Sequence, residues 1–151
     1  MPKLKADDFQ SMTVEEMLTL KSDNVQKFQF ILLPLGAYSG TITKVDLPDP
    51  EKNNDSFVVY VSNIQLIEAD KEEDAEFQVP DDFVLSCRYG RGIGMQALFT
   101  EFGDVIDACG ELGSFVATSE SGIEIAFMST HKRNKNDPEN PFQGLKNVVV
   151  A

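Results

Sequence analysis

The alternation of apolar and polar positions divides the chain into short elements. Thr13 and Glu16 have the spacing of a capping box, and Met17, Leu18 and Leu20 follow, so a short helix is predicted within residues 11–20. Residues 28–33 form an apolar run closed by Pro34, read as a strand or extended segment. Period two then sets in. Residues 36–46, 56–67 and 83–89 read as three strands, with a break at Ser62-Asn63 that marks a bulge. Between the first two, residues 48–55 carry the breakers of a loop. Over residues 95–109 the spacing changes to three and four, through Leu98, Phe99, Phe102, Val105, Ile106 and Cys109, which predicts an amphipathic helix stopped at Gly110. Residues 114–118 and 123–130 read as two strands joined through Glu120-Ser121-Gly122. A polar loop over 131–140 leads to a last strand at 145–150.

The predicted order is β-β-β-α-β-β-β after a short N-terminal helix. This is mainly β with one central helix, an α+β class, and it fits an OB-like small β-barrel; a generic α+β half-barrel is the alternative. The division expected is an N-terminal helix and extended arm over 1–32, then the barrel domain over 33–151. In such a barrel the middle strands and two long loops form the ligand face.

Charge alters this picture more than composition does. The 151 residues have ordinary globular usage, 42% hydrophobic and 25% charged, and a formal net charge of −12. The acid is concentrated: residues 46–82 hold twelve acids and two bases, Lys52 and Lys71. A reader of duplex DNA carries a basic footprint, which this net charge opposes. The block reads as a solubilising loop or as a patch that recruits a partner through Glu72, Glu73, Asp74 and Glu76. Two cysteines 22 positions apart, Cys87 and Cys109, suit neither a disulfide framework nor a zinc site. No apolar run reaches membrane-span length and no leader pattern is visible, so a soluble cytoplasmic protein is expected.

Catalytic chemistry finds little to work with. The single histidine, His131, lies beside no nucleophile motif and is read as an exposed loop residue. Gly90, Gly92 and Gly94 precede the central helix, but their spacing is that of neither dinucleotide nor Walker loops, so a strand-to-helix turn is expected. Asp49, Glu51, Asn53 and Asp55 start like a calcium loop. That loop needs glycine at its sixth position and glutamate at its twelfth, where Asn54 and Tyr60 stand. No enzyme, metal site or cofactor is predicted.

Cations and flat side chains remain, the combination that single-strand binding uses. Arg88 and Arg91 form one basic cluster; Lys132, Arg133 and Lys135 form the denser one. The candidate stackers are Tyr38, Phe57, Tyr60, Tyr89 and Phe142. Tyr60 and Tyr89, assigned outside the apolar registers Phe57/Val59/Val61 and Phe83/Leu85/Cys87, are preferred.

Four short motifs add a resemblance: Leu-Pro-x-Gly-x-Tyr-x-Gly-x-Ile over 33–42, Leu-Phe-x-x-Phe-Gly over 98–103, Lys-Asn-Asp-Pro-Glu-Asn over 135–140 and Leu-Lys-Asn-Val over 145–148. Across residues 33–150 the chain resembles small OB-like proteins of tailed-phage replication and recombination modules. The resemblance implies single-stranded-DNA binding in a host-cell cytoplasm, with replication or host proteins as partners. Many such binders end in an acidic tail. This chain closes on Val148-Val-Val-Ala151, so the internal 68–76 loop takes the recruiting role in this reading. Two other functions stand beside it: an acidic interaction module that inhibits or adapts a basic partner, and a structural virion or assembly protein whose last strand pairs with a second copy in a homo-oligomer.

Overall fold

The computed structural model describes residues 3–25, 31–52, 54–139 and 141–151. The chain divides into two compact units, residues 1–31 and 32–151.

In the first unit, α1 (Ala6–Gln10) and α2 (Val14–Met17) are single turns or little more. The capping box at α2 forms as the sequence predicts. Glu16 N–H donates to Thr13 Oγ1 at 3.2 Å and Thr13 N–H donates back to Glu16 Oε1 at 3.3 Å. The helix α1 was not foreseen; Asp8 starts it by accepting from Lys5 N–H at 2.8 Å. Of the predicted extended run at 28–33, residues 28–30 lie outside the described residues.

The second unit is a mixed α+β fold around a curled antiparallel sheet, a half-barrel. Its strands are β1 (Gly36–Asp46), β2 (Ser56–Ala69), β3 (Leu85–Gly90), β4 (Ile123–Lys132) and β5 (Phe142–Val150), in the order β3-β2-β1-β4-β5. The bulge read at Ser62-Asn63 is present. Ser39 faces Gln65 but Thr41 faces Ser62, and Asn63 takes the left-handed φ of 54° that accommodates the extra residue. Opposite it sits Gly40, where a Cβ would meet Val61 Cγ1 at 2.8 Å. Another bulge with a left-handed residue, at Asn147 of β5 (φ 53°), carried no signal in the sequence.

The helix α3 (Ile93–Cys109) lies against both edge strands, β3 and β5. It buries Leu98, Phe102, Val105 and Ile106, the stripe its period predicts, against Tyr38, Ile42, Val59, Val61, Ile125 and Phe127 of the sheet. Each such side chain contributes about 1.5–3 kcal/mol when fully removed from water. Gly94 permits the close seating of this helix, because a Cβ there would stand 2.9 Å from the Tyr89 carbonyl carbon.

One predicted strand is a helix instead. Residues 114–118 lie within α4 (Leu112–Ser119), so the order is β-β-β-α-α-β-β and the sheet has five strands. Phe115 and Val116 favour strands intrinsically, but Leu112, Phe115, Val116 and Ser119 fall on one helical face, and Phe115 is fully buried 6.1 Å from the ring of Phe102. Tertiary packing overrides propensity here. The hydroxyls of Thr118 and Ser119 find acceptors in the helix itself, on the carbonyls of Ser114 and Val116. Glu120-Ser121-Gly122 accordingly joins a helix to β4, with Gly122 at φ 89°.

Candidate nucleic-acid interface

Because β3 and β5 are edges lying against the same helix, a seam separates them. A cleft of about 240 Å³ opens along it. Arg88 of β3 stands on one side, Lys132 and Phe142 on the other, and Gly94, Ala97 and Glu101 of α3 lie between. The two basic clusters of the sequence, far apart in the chain, thus contribute one cation each to the same cleft. Phe142 is 60% exposed, an apolar ring in the lining of the cleft. Arg133 and Lys135 continue from Lys132 into the loop between β4 and β5, fully on the surface.

The cations at β3 and just after it are already engaged. Arg88 donates to Asn54 Oδ1 at 3.1 Å, and Arg91 pairs with Asp55 Oδ1 at 3.1 Å. Both partners belong to the loop between β1 and β2, which sets polar side chains against these two arginines. Lys132, Arg133 and Lys135 make no ion pair among the described residues.

Tyr60 stands on the outer face of the sheet. It pairs with Ser86 across to β3, so it shares a face with Arg88, which pairs with Val58. Its hydroxyl donates to Asp46 Oδ2 at 2.9 Å, and Lys44 Nζ lies 5.8 Å from its ring centroid while bridging Asp46 at 3.1 Å. These three groups tune one another. The hydrogen bond to Asp46 raises the Tyr60 hydroxyl above its ordinary pKa. Burial works to raise Asp46, but the hydrogen bonds from Lys44 and Tyr60 outweigh it and hold the carboxyl below its usual range. Lys44 carried no signal as a site residue, since only the β1–β2 register sets it against Tyr60.

Tyr89 is corrected. It shares the register of Leu85 and Cys87, faces the core, and is only 5% exposed. Its ring meets Phe102 edge-on at 6.0 Å and its hydroxyl donates to Glu101. Burial, with the neighbouring Cys87 and Glu101, pushes that hydroxyl far above its ordinary pKa. A ring held this way forms the wall of the cleft and is not available to stack on a base. Tyr38 is likewise fully buried, stacked on Phe127 at 5.7 Å. Phe57 is half-buried against the core. Cys87 lies beneath the same cleft, its thiol pushed up to about 12, chiefly by burial.

His131 is also corrected. It belongs to β4, is half-buried, and its Nε2 bonds the Leu33 carbonyl at 2.7 Å. Leu33 N–H in turn donates to Gln143 Oε1 at 3.0 Å, so the histidine helps to fasten the chain entering β1. The glycines at 90, 92 and 94 span the turn from β3 into α3, as expected.

Glu72, Glu73 and Asp74 form a short 3-10 turn after β2; with Glu76 they are exposed, apart from the half-buried Asp74. Among the described residues no group of three or more His, Cys, Asp and Glu side chains is arranged to hold a metal ion, and no helix is long and apolar enough to cross a membrane. Compared with family models, curated proteins and solved structures, the chain finds no match in any of the three.

Proposed function

We propose that this chain is a non-catalytic single-stranded-DNA-binding protein of a phage-type replication or recombination system, built on an OB-like half-barrel. The order β3-β2-β1-β4-β5, with the helices inserted between β3 and β4, is that of an OB barrel opened between its third and fifth strands, which supports the fold assignment. In that architecture the β2–β3 face and the loops β1–β2 and β4–β5 meet the nucleic acid. Tyr60 and Arg88 lie on that face, Lys44 borders it from β1, and Lys132, Arg133 and Lys135 lie at the β4–β5 loop.

The observation that carries the reading is the juxtaposition of Arg88 and Lys132 with the exposed ring of Phe142 in one cleft. The cations follow a phosphate backbone, and Phe142 takes the stacking role first assigned to Tyr89. With three to five phosphates neutralised, log affinity falls against log salt with a slope of about −2 to −3.5.

Fluorescence anisotropy of a labelled oligo-dT of about 30 nucleotides, over a salt series and against a duplex control, tests this directly. The variant Lys132→Ala/Arg133→Ala/Lys135→Ala is expected to bind more weakly and to flatten the salt slope by about 2. Absence of saturable binding at low salt, or equal affinity for duplex, overturns the reading.

A further inference from the structure

The far half of β2 has an unused edge. The ladder to β3 ends at the pair Val61↔Leu85, whereas β2 runs on to Ala69. Among the described residues, 62–69 pair with β1 alone. The chain returns opposite this edge as residues 77–81 but does not join it. Pro80 has no N–H to give, and its carbonyl accepts from Phe83 N–H at 3.1 Å in a turn that leads away. Between the edge and the returning segment lies a groove of about 490 Å³. Leu66, Phe77 and Val79 line it and pack partly on the core, with the buried Ile64 beside them.

The surroundings of the groove are of one sign. Residues 62–82 hold eight acids and one base, Lys71. All the acids but Asp74 are exposed, and none makes an ion pair among the described residues. A second copy offering the same edge would bring the same charge, so self-pairing is opposed. We propose that this edge takes an extended lysine- or arginine-rich segment of a partner protein as an added strand. The partner's backbone completes the ladder on 62–69, alternate apolar side chains enter the groove, and its cations meet Glu68, Glu72, Glu73 and Asp81. This docking site is independent of single-strand binding and occupies a different part of the sheet.

The test uses the full chain and two labelled decapeptides of equal charge, one alternating lysine with valine and one of the same sequence N-methylated at every peptide nitrogen. The unmodified peptide is expected to bind at least about tenfold more tightly, since an N-methylated backbone has no N–H to donate to the ladder. Its binding should slow amide exchange within residues 62–69 and leave oligo-dT affinity unchanged. Glu72→Gln/Glu73→Gln/Asp81→Asn should weaken it about tenfold, with a shallower salt dependence. Equal affinity for the two peptides, protection elsewhere in the sheet, or no binding at low salt overturns the proposal. Concentration-dependent self-association that protects 62–69 also overturns it, by making a second copy the occupant.

Discussion

The two halves of β2 present opposite chemistry. Its first half pairs with β3, carries Tyr60 on the outer face and brings Arg88 to the edge of a cleft shared with Lys132 and Phe142. Its second half, beyond the bulge at Asn63, has no partner on one side and is followed by a run of carboxylates. A net charge of −12 describes neither. Charges beyond a Debye length of about 8–10 Å are largely screened, so a ligand on either half answers to the side chains near it rather than to the total. Around the first half the cations Lys44 and Arg91 are interleaved with Asp46 and Asp55, whereas over residues 62–82 eight acids stand against Lys71 alone.

The largest expected effect treats the two halves as one body. Phe102 is fully buried between Tyr89 and Phe115, so Phe102→Ala should cost about 3–5 kcal/mol in a urea melt. Oligo-dT and peptide binding should fall together at the lower midpoint; survival of either in the unfolded baseline would show that it needs no fold. Phe142→Ala separates them. Its exposed ring contributes little to stability, and its loss should remove about 1–3 kcal/mol of oligo-dT affinity while the lysine–valine peptide binds as before.

A third perturbation, by pH, reports on the acidic end. Tyr38 is pushed up to about 12, by burial first and then by the charges of Asp74 and Asp70. An unfolded tyrosine loses its proton near pH 10, so the stabilisation is complete below that pH and drains away as pH rises towards 12. Tyr38→Phe should lose about 1 kcal/mol at neutral pH with the hydrogen bond to the Pro34 carbonyl. Its deficit relative to wild type should shrink above pH 10 in paired melts, and a constant deficit would contradict the shift. The smallest effect belongs to the basic end. Asp55→Asn frees Arg91 from an exposed pair worth about 0–1 kcal/mol, so stability should barely move and oligo-dT affinity at low salt should rise a few-fold. A fall in affinity would mean that the loop positions Arg91 for its ligand.

The features that were legible in the sequence are those set by near neighbours. Thr13 and Glu16 make their box within one turn, Asn63 makes its bulge within two residues, and the α3 stripe repeats long enough to fix its period. The misread features depend on distant parts of the chain. Phe115 and Val116 form a helix because Phe102 waits beneath them, and His131 leaves its loop reading because the Leu33 carbonyl is within reach. At the site, the cations were found individually, but the seam that unites Arg88 with Lys132 exists only once α3 lies against both edge strands. Tyr89 is different. Its parity with Leu85 and Cys87 is legible in the sequence and places all three on the buried face of β3.

The burial of Cys87 has a kinetic consequence. A thiol pushed up to about 12 and shut beneath the seam is almost entirely protonated and shielded, so alkylating reagents reach it only in molecules whose β3 edge has lifted. With Cys109 replaced by serine, it is the sole sulfhydryl in the chain. Its labelling rate then becomes a clock for opening at the cleft wall, one that a strand of DNA lying across the seam would slow and a peptide on the far edge would leave running.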